Sequence, residues 1–402
     1  MSNAGNSGTP VRPIALTIGL APAVLFVLTM GQDLSDYQSI MKTLAMPVLV
    51  VEIAIASLVA PRLKSVPHAP LPIVLCLIAL GLIALVTAAT ADDRTVSLLK
   101  TAIWFVHLAF AFSIYCLFRS GGCIDANILA RDIAFGFILF TCLALVYAAS
   151  NREADYNWTL YFPAYSWIRW YGYYAAAVTG LCLWGWVRGD KVSGAIAAFA
   201  LGAALWTGSR GTLVAIVGGY GCSYLLFRFA RNGISHIFAV VIAGVLLSTA
   251  LAALVPLGDF GPQRLIGDDA DSGRVAIWAK ALQVVLQRPW FGWGESQFAA
   301  RFPEMNLVQP HNVFLQILLS WGFVGAGLVA ILSIWLGCKV YRAVNEQNAA
   351  FLLAAMNIAV FSLFDGSLYH VQSVSIFALC IAVVLATKSG DAAGGCRAPQ
   401  PG

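Results

Sequence analysis

Residues 71–90 read LPIVLCLIALGLIALVTAAT, twenty positions without a charged side chain. As a helix rising 1.5 Å per residue the run is about 30 Å long, the thickness of a bilayer's hydrocarbon core. In water it would expose apolar surface on every side. In lipid it is stable, because each backbone polar group is satisfied inside the helix. Working outward, comparable stretches recur at 13–30, 43–60, 98–118, 133–149, 171–187, 192–207, 212–228, 234–257, 313–337, 349–364 and 371–387. Together they predict an all-α polytopic transmembrane helix bundle of about twelve spans. Composition agrees: 60% of the 402 residues are hydrophobic and 11% charged, against about 45–50% and about 25% in soluble chains. That excludes a water-facing globule and makes 1–402 a single integral membrane domain. The first span lacks a small-residue cleavage site and is read as a membrane helix rather than a leader. The nine cysteines are scattered through apolar runs with no CxxC, as free thiols rather than a disulfide frame or metal site. The tail 389–402, rich in Gly, Ala and Pro, is expected to be disordered.

Orientation follows from Lys and Arg in the short loops. With a cytoplasmic N-terminus, one side carries Arg12, Arg62, Lys64, Arg119, Arg131, Arg188, Lys191, Arg228, Arg231, Lys339, Arg342, Lys388 and Arg397. The other carries Lys42, Arg94, Lys100, Arg152, Arg169 and Arg210. Thirteen against six puts both termini in the cytoplasm. The segments 150–170, 208–211, 258–312 and 365–370 then face the periplasm or cell exterior. Hydrophilic content concentrates in 258–312, a long loop of the kind that is usually functional. Within it, Val275, Trp278, Ala279, Leu282, Val285 and Leu286 share one helical face over 275–288, and Asp271 or Ser272 is a plausible N-cap. This amphipathic helix is expected on the outer leaflet or over the bundle mouth.

Three sites place a cationic or titratable side chain at an outward helix start. Gly208-Ser209-Arg210-Gly211 opens the eighth span; its N–H groups and partial positive charge favour an anion, and Arg210 adds a forked permanent charge. A tight turn with a snorkelling arginine fits as well. Arg274, in Ser272-Gly273-Arg274, sits in a first helical turn, where a cation opposes the helix dipole unless an anion binds or Asp268, Asp269 or Asp271 pairs with it. In Gln309-Pro310-His311-Asn312, Pro310 at a first helical position would put His311 in the first turn. The positive helix end would keep it a neutral base. A hydrogen-bonded structural histidine is the competing reading. Two arginines and one histidine on the same face suit the departure of a pyrophosphate and the activation of a sugar hydroxyl.

Other residues are less decided. The aromatic run 156–174 reads mainly as an interfacial belt, with Trp167, Arg169 and Trp170 candidates for holding a glycolipid. Glu52, inside the second span, is either functional or paired within the bundle. Asp365 and His370 occupy the last external loop. Asp269-Ala270-Asp271 spells a DxD pattern and reads as loop charges or partners of Arg264 and Arg274, with a bound divalent ion as the minority option.

An ordered set of motifs runs through residues 190–340: Thr207-Gly208-Ser209-Arg210-Gly211, Ser272-Gly273-Arg274 with Ile277-Trp278, and Arg288-Pro289-Trp290-Phe291-Gly292-Trp293-Gly294. His311-Asn312-Val313-Phe314-Leu315-Gln316 and Gly322-Phe323-Val324-Gly325 follow. In this order the chain resembles the O-antigen ligase family of bacterial envelope proteins, which also contains related polysaccharide polymerases. The resemblance implies an inverting membrane glycosyltransferase needing no cofactor, metal or nucleotide sugar. It would take a glycan from undecaprenyl pyrophosphate on the periplasmic side of the inner membrane and join it to an acceptor hydroxyl. Arg210 and Arg274 would bind the pyrophosphate and His311 would act as base or orient the acceptor. Ser209, Arg169, Trp170, Arg288, Asn312 and Asp365 are the further substrate-binding candidates. The partners implied are the lipid-linked donor, a glycolipid or glycan acceptor and membrane lipids, with no nucleic acid. A ligase acting on lipid A core ranks ahead of a repeat-unit polymerase. A lipid-linked glycan flippase, the rival of another class, would show related halves and polar helices meeting at the midplane; here the polar residues gather at one face.

Overall fold

The structure, a computed structural model, describes residues 11–32, 45–60, 69–120, 126–151, 156–158, 161–165, 168–265, 273–303 and 309–387. Each apolar stretch read from the sequence contains a helix. In chain order these are α1 (Val11–Thr29), α2 (Met46–Val59), α3 (Leu71–Ala89), α4 (Arg94–Ser120), α5 (Ala126–Ser150), α6 (Tyr171–Val187), α7 (Lys191–Trp206), α8 (Arg210–Leu226) and α9 (Ile234–Leu254). The segment 258–312 adds α10 (Arg274–Val285) and α11 (Gln297–Arg301), and α12 (Val313–Ala343), α13 (Ala349–Phe361) and α14 (Val371–Ala386) follow. Among the described residues five helical segments, Leu71–Ala89, Arg94–Arg119, Ala126–Ser150, Ala230–Leu254 and Val313–Ala343, are long and apolar enough to cross a membrane.

Burial is arranged as lipid requires. The centre is α6, where every residue from Tyr171 to Trp184 is buried. Helix α13 packs against it, and Asn357 Nδ2 donates to Ala176 O at 2.8 Å. Peripheral helices instead present large apolar side chains outward, among them Leu82 of α3 and Leu246 of α9, 58% and 67% exposed. A polar shell is missing from this outward face, which suits a chain solvated by lipid tails. Glu52 is resolved as paired: His107 Nδ1 lies 2.7 Å from its Oε2, and Ser375 Oγ donates to Oε1 at 2.5 Å. The carboxyl thereby ties α2 to α4 and α14.

The aromatic run is mostly core rather than an interfacial belt. Trp158, Phe162, Tyr165, Tyr171, Tyr173 and Tyr174 are all buried, and Phe140 packs on Phe162, Tyr165 and Tyr171. Trp167 lies outside the described residues, as do Asp268, Asp269, Asp271, Ser272 and the tail 389–402.

A backbone break shapes the side of the bundle that carries α10. Helix α12 breaks at Gly322, whose φ of 62° and ψ of −167° leave the helical region. The segment 289–294 is wedged into the break: Trp293 and Gly294 N–H donate to the carbonyls of Leu319 and Ser320 at 2.8 and 2.9 Å, and Phe323 N–H donates to Pro289 O at 2.7 Å. The helix hydrogen bonds lost at the kink are replaced across the wedge. A Cβ on Gly322 would collide with the backbone of Trp290 and Phe291, so these two glycine-bearing motifs meet as one joint.

The face assigned to the amphipathic helix is corrected. Ile277, Ala281, Val284 and Val285 are buried, in a small core with Trp293, Phe298 and Leu319, while Val275, Leu282 and Leu286 are 60%, 45% and 61% exposed. The helix carries two apolar stripes, and the one that meets α12 and the wedge is buried. It also ends at Val285 rather than 288, and its N-cap is Gly273 at φ 71°.

Candidate active site

Four helix starts and one loop converge. Ser209 precedes α8 and is buried; its hydroxyl accepts from Thr212 Oγ1 at 2.9 Å, and both side chains rest against Gly172 in the first turn of α6. Arg210 is the first residue of α8, and its neighbour Gly211 abuts the Phe361 ring at the end of α13. Gly208 lies beside the Arg264 side chain, in the short helix Pro262–Leu265. Arg274 opens α10, as expected.

The start of α12 departs from expectation. Asn312, not Pro310, sets the helix boundary: its Oδ1 accepts the Leu315 N–H at 3.0 Å and its Nδ2 donates to Leu363 O at 2.9 Å. An Asx cap that satisfies an orphan donor defines the start more strongly than a proline two residues upstream. His311 therefore lies before the helix, at φ 53°, and its ring is positioned by other means. Asp365, in the connection between α13 and α14, supplies them. Its Oδ1 lies 2.8 Å from His311 Nδ1 and accepts from Gly366 N–H at 2.7 Å, while its Oδ2 lies 3.5 Å from Arg274 Nη2. Trp278 of α10 donates its indole N–H to Pro310 O at 3.0 Å, tying α10 to the same turn.

The electrostatics follow from this packing. Burial pushes the Asp365 carboxyl up, but the hydrogen bond and charge of His311, the Arg274 guanidinium and the Gly366 N–H more than offset it, leaving the pKa well below the usual carboxylate range. Burial lowers Arg169 to about 10, helped by the like charges of Arg264 and Arg274 and opposed by Asp365. Those arginines thus feel one another, as fixed charges gathered for an anion do. His370 is pushed down to about 3, chiefly by burial, so it is neutral at physiological pH; its ring packs on Trp170 at 4.1 Å and on Tyr173 at 5.0 Å. The buried Tyr173 hydroxyl faces Asp365 without completing a hydrogen bond.

Residues 195–330, the stretch carrying Ser209, Arg210, Arg274 and His311, match the O-antigen ligase family profile. An O-antigen ligase of Pseudomonas aeruginosa is 27% identical over 331 residues, covering 80% of this chain and 77% of its own. The chain is thus similar to the O-antigen ligase family, in its central third and, more loosely, over most of its length. Its long apolar helices together with this likeness mark a multi-pass membrane protein, and the likeness supports a role in glycan transfer.

Of the site candidates from the sequence, Arg169, Trp170, Arg274, His311, Asn312 and Asp365 come together, while Ser209 and Arg210 stand at the start of α8 beside the first turn of α6. Asn312 holds the backbone, since both ends of its amide are engaged. Arg288 lies apart, beyond the far end of α10 from Arg274, with its guanidinium 3.9 Å over the Trp293 ring. Arg301 covers the same indole at 3.5 Å. Sequence reasoning missed Arg264 as a member of the arginine group, and Glu295, which is 1% exposed. The only signal for Glu295 was a carboxylate directly after a glycine-tryptophan-glycine turn.

Proposed function

We propose that the chain transfers a glycan from undecaprenyl pyrophosphate to a hydroxyl of lipid A core, inverting and without a metal, at the periplasmic face of the inner membrane. The observation that carries this reading is the bridging of His311 and Arg274 by one carboxylate, Asp365. It holds a base and a phosphate-binding cation side by side.

The chemistry follows from the donor's needs. The arginines at 169, 264 and 274 lie within one another's field and would hold a diphosphate, with Arg210, Ser209 and the α8 N-terminus adding donors. With Nδ1–H donated to Asp365, His311 presents its Nε2 lone pair to an incoming hydroxyl. The acceptor oxygen attacks C1 of the donor sugar from the face opposite the phosphate. The C1–O bond to pyrophosphate breaks, the proton passes to Nε2, and the arginines stabilise the charge on the leaving diphosphate. Single displacement inverts C1. Asp365 stabilises the imidazolium that forms, as an orienting carboxylate does.

The test is transfer by purified protein given a polyprenyl-pyrophosphate glycan and lipid A core. Ligation by wild type and its loss in His311→Ala support the reading. A product lengthened on the polyprenyl carrier would make it a polymerase, and wild-type glycan levels in His311→Ala would remove the base.

A further inference from the structure

The wedge in the α12 break carries Glu295 into the bundle, where Lys100, Ser320, Trp104 and Gln316 face it. Neither carboxylate oxygen completes a hydrogen bond with them. Other buried polar atoms nearby are also unpartnered: Ser97 Oγ and Thr101 Oγ1 on α4, and Gln316 Oε1 on α12. Ser97, Thr101 and Trp104 share one face of α4 by their spacing of four and three, and Gly294 rests against Ser97. Folded proteins rarely leave such groups unpaired singly; here they collect from three segments around one carboxylate. The Trp104 and Tyr369 rings stand 5.6 Å apart at 88° beside them, both half-buried.

We infer that these groups form a subsite for a neutral sugar ring, the acceptor's, with Glu295 accepting its hydroxyls and Trp104 and Tyr369 covering its apolar face. Sugar hydroxyls supply both donors and acceptors in the density these orphan atoms require. These groups share the first turns of α12 and the 365–370 connection with His311, and the cation that faces Glu295 is Lys100 rather than one of the arginines at 169, 210 and 264. A buried carboxylate there repels a diphosphate, which leaves this side to the acceptor. The word acceptor rests on the transferase reading; the sugar subsite does not.

Two measurements on the purified full chain separate them. Core oligosaccharide freed of its lipid is titrated against intrinsic tryptophan fluorescence. Saturable binding by wild type, weakened about tenfold in Glu295→Gln and in Gln316→Ala, supports the subsite. In the transfer assay the same variants should raise the KM for acceptor about tenfold and leave the KM for donor unchanged. Absence of oligosaccharide binding by wild type, equal binding by folded variants, or a rise in donor KM instead would overturn the inference. Binding lost in the variants of a protein that transfers nothing would sink the transferase reading while leaving the subsite. Should Glu295→Gln fail to fold, Gln316→Ala carries the comparison alone.

Discussion

His311 Nδ1 and Asp365 Oδ1 lie 2.8 Å apart although 54 residues separate them in the chain. Because His311 precedes its helix at φ 53°, this contact, not the helix, sets the ring's direction. Asp365→Asn keeps the shape but can donate its N–H to Nδ1, which would move the proton to Nε2 and remove the base. Transfer turnover is expected to fall about a hundredfold or more. His311→Ala should fall similarly, and the double variant no further, because the two act as a unit. Additive losses in kcat would show that Asp365 serves only Arg274.

Arg274 meets Asp365 at 3.5 Å and shares its field with Arg169. A lysine there would keep the charge but lose the forked donors. Arg274→Lys and Arg210→Lys are each expected to raise the donor KM about tenfold, the cost of roughly one charge-assisted hydrogen bond. The check is steady-state kinetics at saturating acceptor. An unchanged donor KM in both variants would refute the diphosphate assignment.

The fold was legible because lipid leaves few solutions: an uncharged run of twenty residues has to be a helix. The placement of candidate residues was legible where a helix start is written locally, as at Ser209-Arg210 and Gly273-Arg274. What local pattern could not show is which of two competing signals wins. Pro310 and Asn312 both mark helix starts, and the cap that satisfies an N–H prevailed. Both faces of α10 are apolar, so periodicity could not choose between Leu282 and Ile277; contact with Leu319 and Trp293 did. Glu295 and Arg264 take their meaning from elements distant in sequence, and no spacing rule reaches that far.

The joint between 289–294 and Gly322 makes a stability prediction. Gly322→Ala puts a side chain at φ 62° and against the backbone of Trp290. Strain and overpacking together should cost about 2–4 kcal/mol. Gly292→Ala, at φ 72° on the opposing strand of the joint, should cost a similar amount. The two should be less than additive, since either opens the same contact. Thermal unfolding in detergent reads this directly. Wild-type Tm in Gly322→Ala would mean that the wedge is not seated.

Glu295 gives a pH dependence with a defined sign. Burial raises its carboxyl from 4.5 to about 7, against the pull of Lys100. A carboxyl that is easier to ionise unfolded than folded stabilises the fold fully below 4.5, and that stability is lost as pH rises through about 7. The change corresponds to about 3 kcal/mol. Glu295→Gln removes the titration, so the Tm of wild type relative to the variant should decline between pH 4.5 and 8 and level off above. The comparison cancels every other group that titrates in that window. Parallel Tm curves for the two proteins would mean that the carboxylate is already ionised and matched in the fold, and that Lys100 outweighs burial.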